Sequence, residues 1–97
     1  MRVSQTTQFK KDVKRQVKRG KSPEKLSVVI GLLIGGEDLP EKLRDHALTG
    51  NWNGWRDCHV DPDWLLIYKR MADELVLGRT GSHADLFSHY PTKFRKS

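Results

Sequence analysis

The chain has 97 residues, and its 18 Lys and Arg against 12 Asp and Glu give a net charge of +6 and a pI near 9.7. This length predicts a single domain over residues 1–97, and the surplus charge suits a polyanionic partner: nucleic acid, an anionic membrane or an acidic protein. One cysteine excludes an internal disulfide, and the longest apolar run, residues 28–34, is far too short to span a bilayer. We therefore expect a cytoplasmic protein that does not insert into a membrane.

The chain begins with a predicted edge strand and a basic helix. Residues 1–7 alternate weakly between apolar and polar side chains, as a short strand does. Phe9, Val13 and Val17 then recur at four-residue spacing, which predicts an amphipathic helix that stops at Gly20. Its remaining circumference is basic and comprises Lys10, Lys11, Lys14, Arg15, Lys18 and Arg19.

A second helix is predicted from residue 23 onward. Ser22 suits the N-cap and Pro23 the first helical position, and the helix ends at the pair of glycines that begins with Gly35. Two consecutive helices with one apolar stripe each need a sheet to pack on. The stripe of the second helix is predicted to comprise Leu26, Val29, Ile30, Leu33 and Ile34.

The second half of the chain is predicted to supply that sheet. Residues 36–54 have little periodicity and form a long connection that carries His46, and long loops in small domains are often functional. A meander of three antiparallel strands follows, so the fold class is α+β, with two N-terminal helices on a mainly antiparallel sheet. The strands are predicted at residues 55–60, 64–69 and 74–79, and a basic tail at residues 88–97.

The alternation of the first meander strand predicts where a site lies. Asp57 and His59 point to one face of the strand, and Cys58, between them, points to the other. If Leu65 and Ile67 of the next strand face the helices, the opposite face of the sheet is an open polar surface. Cys58 and His59 cannot then share a zinc ion, and the histidine spacings match no compact metal motif, so we expect neither a metal nor a cofactor.

The residues of this region suit RNA cleavage without a metal. That reaction needs a base for the ribose 2′-hydroxyl, an acid for the departing 5′-oxygen and a cation for the charge that grows on phosphate. His, Asp and Arg side chains meet these needs. Any one histidine of a basic domain is more often a surface residue, and tryptophans are more often core, which we prefer for Trp52 and Trp55. Trp64 and Phe87, which flank the predicted site, can instead stack on bases.

A multi-part pattern also resembles the YafQ branch of the RelE superfamily of bacterial toxins. The pattern covers nearly the whole chain, from the N-terminal strand to Phe87. Its parts are Asp45-His46, Leu48-x-Gly50-x-Trp52, Gly54-x-Arg56-Asp57-x-His59-Val60-x-Pro62-Asp63-Trp64-x-Leu66-Ile67-Tyr68 and Arg79-Thr80-Gly81-Ser82-His83-x-x-Leu86-Phe87.

The resemblance implies a ribosome-dependent mRNA endoribonuclease, the toxin of a type II toxin–antitoxin pair. Its implied partners are a cognate acidic antitoxin, mRNA and the A site of the 70S ribosome. The basic residues Lys10, Lys11 and Lys14 are then expected to meet RNA phosphates, although a basic helix face is more often merely solvated. By position, the proposed acid–base residues are His46, His59, Asp63 and His83, and those that position or stabilise RNA are Asp57, Arg79 and Phe87.

Two departures and two alternatives remain open. Family members usually end soon after the phenylalanine, whereas this chain continues to Ser97, and Cys58 occupies a position where a small residue suffices. A catalytically silent RNA- or ribosome-binding module would explain the charge and the aromatic residues. A toxin of the same fold with another target is the second alternative, because fold does not fix function.

Overall fold

The computed structural model describes residues 1–87, and the predicted basic tail at 88–97 lies outside the described residues. No helix of the described part is long and apolar enough to be a candidate for crossing a membrane. Short 3-10 turns occupy Glu41–Leu43 and Gly50–Trp52. The helices and strands, in chain order, are β1 (Arg2–Gln5), α1 (Thr7–Lys18), α2 (Pro23–Ile34), β2 (His46–Ala47), β3 (Arg56–Asp61), β4 (Trp64–Arg70), β5 (Glu74–Gly81) and α3 (His83–Phe87).

Within residues 1–87, five strands form one sheet in the order β1-β5-β4-β3-β2. Strand β1 pairs in parallel with β5, and every other neighbouring pair is antiparallel. The predicted edge strand, the two N-terminal helices and the three-stranded meander are therefore confirmed, as is the α+β class. The assignment of the whole chain to one domain stays a prediction.

Both long helices contribute side chains to one core against the sheet. Phe9 of α1 and Leu33 of α2 are buried there, and Thr6 caps α1 by accepting a hydrogen bond from the Phe9 backbone N–H at 3.0 Å. Two predicted stripe positions are wrong: Val17 is 45% exposed and Ile34 is 44% exposed. On α1 the polar residues Asp12 and Gln16 are buried instead.

The predicted orientation of the β4 side chains is wrong. Leu65 and Ile67 do not face the helices; they are buried in a second apolar cluster together with Leu86 of α3. Leu66 and Tyr68 belong to the helix-side core. The face that carries His59 is therefore lined partly by apolar side chains rather than being an open polar surface. Strand β4 is buried on both faces, so its sequence does not alternate and gives no sign of which residues point where. The half-buried residues that pack on the second cluster are Leu48, Trp52, Trp55 and Phe87.

An irregularity in β5 changes which residues share a face. The register between β4 and β5 shifts so that Tyr68 pairs with Leu77 whereas Ile67 pairs with Arg79, which leaves Gly78 as the extra residue. A Cβ atom at Gly78 would lie only 2.5 Å from the Trp55 ring, so no other residue fits without displacing that ring. The bulge removes Arg79 from the core-facing set to which simple alternation would assign it.

Candidate active site

His46 is held beside a buried carboxylate by strand pairing. The structure places it on the short strand β2, where it pairs with Asp57 of β3, so the prediction that a loop carries it is wrong. Its Nδ1 lies 3.1 Å from Asp57 Oδ1 and 2.8 Å from the Arg44 carbonyl oxygen. Because a carbonyl oxygen only accepts, Nδ1 carries the proton when the ring is neutral. The exposed His46 ring therefore keeps Nε2 as its proton acceptor.

The residue before His46 anchors this segment to the sheet. Asp45 accepts hydrogen bonds from Arg56 Nε at 3.2 Å and Arg56 Nη2 at 3.1 Å, and a short one from the Tyr68 hydroxyl. The guanidinium–carboxylate contact is bidentate, which fixes orientation as well as distance. Asp45, Arg56 and Tyr68 thus position β2 and the imidazole that it carries.

His83 and Asp63 form a second histidine–carboxylate pair. Asp63 Oδ1 accepts a hydrogen bond from the His83 backbone N–H at 3.0 Å and another from the ring Nδ1 at 2.7 Å. The backbone N–H of His83, followed by its ring, lowers the pKa of the Asp63 carboxyl. An ionised carboxylate only accepts, so Nδ1 is protonated and Nε2 is the ring nitrogen available to a substrate. Both side chains are more than half exposed.

A capping box begins the short helix that carries His83. Ser82 N–H donates to Asp85 Oδ2 at 2.9 Å, and the Asp85 N–H donates back to Ser82 Oγ at 3.0 Å. Gln16 of α1 and Arg19, which caps the C-terminal end of that helix, also donate hydrogen bonds to Asp85. The Arg19 guanidinium is the main cause of the strongly lowered pKa of Asp85. This capping box was not predicted, although Ser followed three residues later by Asp is its usual signature.

His59 lies between the two histidine–carboxylate pairs. Its ring centroid is 5.5 Å from that of His83, in an edge-on arrangement. Asp57 is only 4% exposed, and burial raises the pKa of its carboxyl, while the positive charges of His46, His59 and His83 oppose that shift. Contacts link His46 to Asp57, His59 to His83 and His83 to Asp63. Because Asp57 and His59 lie two residues apart on β3, these five residues form one cluster.

The structure pairs Arg79 with a residue that was not predicted to belong to the site. Asp12 of α1 is fully buried and accepts hydrogen bonds from Arg79 Nε at 2.7 Å, Arg79 Nη2 at 3.2 Å and the Thr80 N–H at 3.1 Å. Asp12 is the one acid on an otherwise basic helix, a signal that a specific cation lies opposite it. Arg79 is consequently a positioned, partly neutralised guanidinium rather than a free one.

Of the two aromatic residues predicted to stack on bases, the structure leaves only Phe87 accessible. Trp64 is 1% exposed and lies in the helix-side core, where its Nε1–H donates to Thr80 Oγ1 at 2.8 Å. The prediction that Trp64 stacks on a base is therefore wrong. Phe87 is half-buried and packs against the apolar cluster on the His59 side of the sheet, so part of its ring remains accessible.

The remaining predicted residues are three exposed lysines, and Cys58 is a buried thiol. Lys10, Lys11 and Lys14 are exposed on α1. Cys58 is fully buried on the helix side of the sheet, and burial raises the pKa of its thiol to about 12, so it stays an unreactive thiol at neutral pH. Among residues 1–87, no three His, Cys, Asp or Glu side chains are grouped so that they could hold a metal ion.

Comparisons with known proteins converge on one family. The sequence model of the family described as YafQ, the bacterial toxin of type II toxin–antitoxin systems, matches residues 1–88. The mRNA interferase toxin YafQ of Escherichia coli strain K12 is 46% identical over 86 residues, which are 88% of this chain and 94% of that protein.

Two solved structures have the same fold. The crystal structure of YafQ from E. coli strain BL21(DE3) is similar with a TM-score of 0.86 and 45% identity, over 90% of this chain and 99% of that one. A chain of the E. coli DinJ–YafQ toxin–antitoxin complex is similar with a TM-score of 0.82 and 46% identity, over 88% of this chain and 94% of that one.

Proposed function

The chain belongs to the YafQ family of bacterial type II toxins, and on that premise we propose that it cleaves mRNA bound to the ribosome and so stops translation. Its E. coli relative at 46% identity is an mRNA interferase toxin by name, that is, an endoribonuclease. We place the reaction in the cytoplasm, where its substrate is translated. The proposal assigns each proton transfer to a side chain of the cluster.

The observation that carries the proposal is the group of three imidazoles around one buried carboxylate. His59 and His83 have ring centroids 5.5 Å apart, so one phosphate bound against the pair would lie within reach of both rings. Each of the two other contacts, His46 to Asp57 and His83 to Asp63, leaves Nε2 of its ring available. An acid and a base on either side of one phosphodiester are what internal attack by a 2′-hydroxyl requires.

His83 is assigned as the acid that protonates the departing 5′-oxygen. It lies at the first position of α3, and its Nδ1 is held by Asp63, so the ring is oriented before substrate binds. Asp63 was predicted as an acid–base residue in its own right. The two hydrogen bonds to His83 support a different role for it, that of positioning the ring.

His59 and His46 share the task of activating the 2′-hydroxyl. His59 is the nearer of the two to His83 by its ring contact, and none of the residues 1–87 gives its ring a hydrogen bond that would fix the tautomer. The Asp57 carboxylate between them compensates the positive charge that develops on whichever ring accepts the proton. Because two rings can serve, loss of either one costs less than loss of His83.

Arg79 and Phe87 complete the assignment. The Arg79 guanidinium is fixed by Asp12 near the C-terminal end of β5, four residues before His83, and suits the charge that grows on phosphate. Phe87 offers a partly exposed ring for a base on the apolar side of the site. Neither role requires more than binding and electrostatic stabilisation.

An acidic antitoxin is the expected partner protein. The net charge of +6 favours an acidic binding partner, and the E. coli relative has been crystallised in a toxin–antitoxin complex with DinJ. Expression without such a partner should arrest growth. Normal growth while folded protein accumulates would remove the main support for a toxin.

Cleavage in a reconstituted translation system separates the remaining possibilities. We expect cleavage of mRNA on programmed ribosomes, little cleavage of the same mRNA alone, and a loss of about 100-fold or more in His83→Ala. Ribosome binding without cleavage would identify a silent binding module. Growth arrest without either would identify a toxin with another target.

A further inference from the structure

We propose that a pocket beside His59 binds one nucleotide of the RNA strand, with its phosphate on Lys42 and Arg44. The pocket has a volume of about 480 Å³ and lies between the 3-10 turn Glu41–Leu43 and the β3–β4 turn. This volume falls within the range of about 300–1,000 Å³ that is usual for small-molecule sites. The proposal rests on the function proposed above and adds a second binding site to the catalytic cluster.

The charge of the pocket favours an anion. Lys42 and Arg44 are exposed, and neither forms an ion pair with any residue of the part that the structure describes. The one acid of the lining, Asp61, is already paired with Lys25, whose Nζ lies 2.9 Å from Oδ2 and 3.1 Å from Oδ1. With that pair neutral, the lining carries two unbalanced positive charges, and Arg44 adds the planar donor pattern that suits phosphate oxygens.

The rest of the lining suits a sugar or a base. Leu43, Val60 and Pro62 supply apolar surface, and Leu43 and Val60 also pack into the helix-side core, so this wall is fixed. A pocket with one apolar wall and cations at its rim matches the amphipathic character of a nucleotide. An inorganic anion alone would make no use of the apolar wall.

The same segment builds the pocket and the catalytic cluster. Arg44 has a φ of +51°, a left-handed conformation that turns the chain after Leu43, and its carbonyl oxygen accepts a hydrogen bond from His46 Nδ1–H. His59 itself lines the pocket, and its ring lies edge-on to the His83 ring, with the centroids 5.5 Å apart. A nucleotide in the pocket therefore lies on the His59 side of the cleaved phosphate, which is the side of the attacking 2′-hydroxyl. We assign the Lys42–Arg44 contact to the phosphate on the 5′ side of that nucleotide.

The test uses a ligand that cannot be cleaved: a mixed-sequence trinucleotide with 2′-methoxy sugars, titrated into the free protein and followed by amide NMR shifts. We expect shifts at residues 42–44 and 60–61. Lys42→Gln/Arg44→Gln should raise the dissociation constant about 10-fold, since two exposed charge contacts are lost. Arg2→Gln/Arg70→Gln is the control with the same charge change, because both residues are exposed at the opposite end of the strands.

A second ligand tests the assigned phosphate. Replacing the first linkage of the trinucleotide by a neutral methylphosphonate should make the parent and the Lys42→Gln/Arg44→Gln protein bind equally. An undiminished difference with that ligand, equal affinities with the natural linkage, or no shifts at residues 42–44 at millimolar ligand would overturn the proposal. A pocket that serves a protein partner would give one of those results. Because nothing is cleaved here, the outcome is independent of the ribosome assay, and the failure of one proposal is distinguishable from that of the other.

Discussion

Asp63→Asn separates a positioning carboxylate from a catalytic one. In the structure a single oxygen, Asp63 Oδ1, accepts both the His83 backbone N–H at 3.0 Å and its ring Nδ1 at 2.7 Å. An asparagine oxygen can still accept both hydrogen bonds, so the substitution removes the charge and keeps the geometry. The net contribution of a hydrogen bond to a charged group is about 1 kcal/mol larger than that of a hydrogen bond between neutral groups. Since both side chains are more than half exposed, solvent screening reduces that difference.

We therefore expect Asp63→Asn to slow single-turnover cleavage on the ribosome by about 2- to 5-fold, against about 100-fold or more for His83→Ala. The double variant should be no slower than His83→Ala, because a carboxylate that acts through His83 has nothing left to position. Ribosome binding should be unchanged in all three. Asp73→Asn, an exposed acid at the β4–β5 turn, is the matched control and should cleave at the parent rate.

Losses that multiply in the double variant would refute this reasoning. They would show that Asp63 acts on the substrate directly, as the sequence alone allowed. A loss of about 100-fold in Asp63→Asn by itself would lead to the same conclusion, because screened hydrogen bonds cannot account for it.

Three further predictions concern stability and binding. Asp57→Asn should slow cleavage but raise the free energy of unfolding at pH 7. Burial raises the folded-state pKa of Asp57, so its charge destabilises the fold fully above that pKa, and the gain should vanish in denaturation experiments as the pH falls below the ordinary Asp range. Trp64→Phe should lose about 1–3 kcal/mol of stability with its bond to Thr80, while RNA affinity stays unchanged, and weaker binding by a folded variant would restore the stacking role. Replacing Lys10, Lys11 and Lys14 by Gln should reduce the salt dependence of ribosome binding by about 0.7–0.9 slope units per lost phosphate contact, whereas equal slopes would show a merely solvated face.

The sequence predicted the elements better than their faces. The two helices have N-cap, proline and glycine signals at their ends, and the meander has turn residues at the right intervals, so their bounds were correct to within about two residues. Strand β4 has apolar side chains at five consecutive positions, from Trp64 to Tyr68, and offers no alternation to read. Its orientation is set by packing of Trp64 and Leu66 against the helices, which is a tertiary effect.

The candidate histidines and carboxylates could be identified in advance, but their partnerships could not. The pairing of Asp63 with His83 depends on the β3–β4 hairpin. The pairing of Asp57 with His46 depends on the two-residue strand β2, which is too short to leave a periodic signal in the sequence. The position of Arg79 depends on the bulge at Gly78 and on Asp12, 67 residues away in sequence. Pairing over such distances is decided by the fold, not by local pattern.

The chemistry of the cut ends tests the central claim most directly. Attack by the neighbouring 2′-hydroxyl, with His83 protonating the 5′-oxygen, predicts that the upstream fragment from a single turnover on the ribosome ends in a 2′,3′-cyclic phosphate. The downstream fragment should then begin with a 5′-hydroxyl. Mass spectrometry of the two fragments distinguishes these ends. An upstream 3′-hydroxyl with a downstream 5′-phosphate would mean that water, and not the ribose, is the nucleophile, and would contradict the assignment of the histidine cluster.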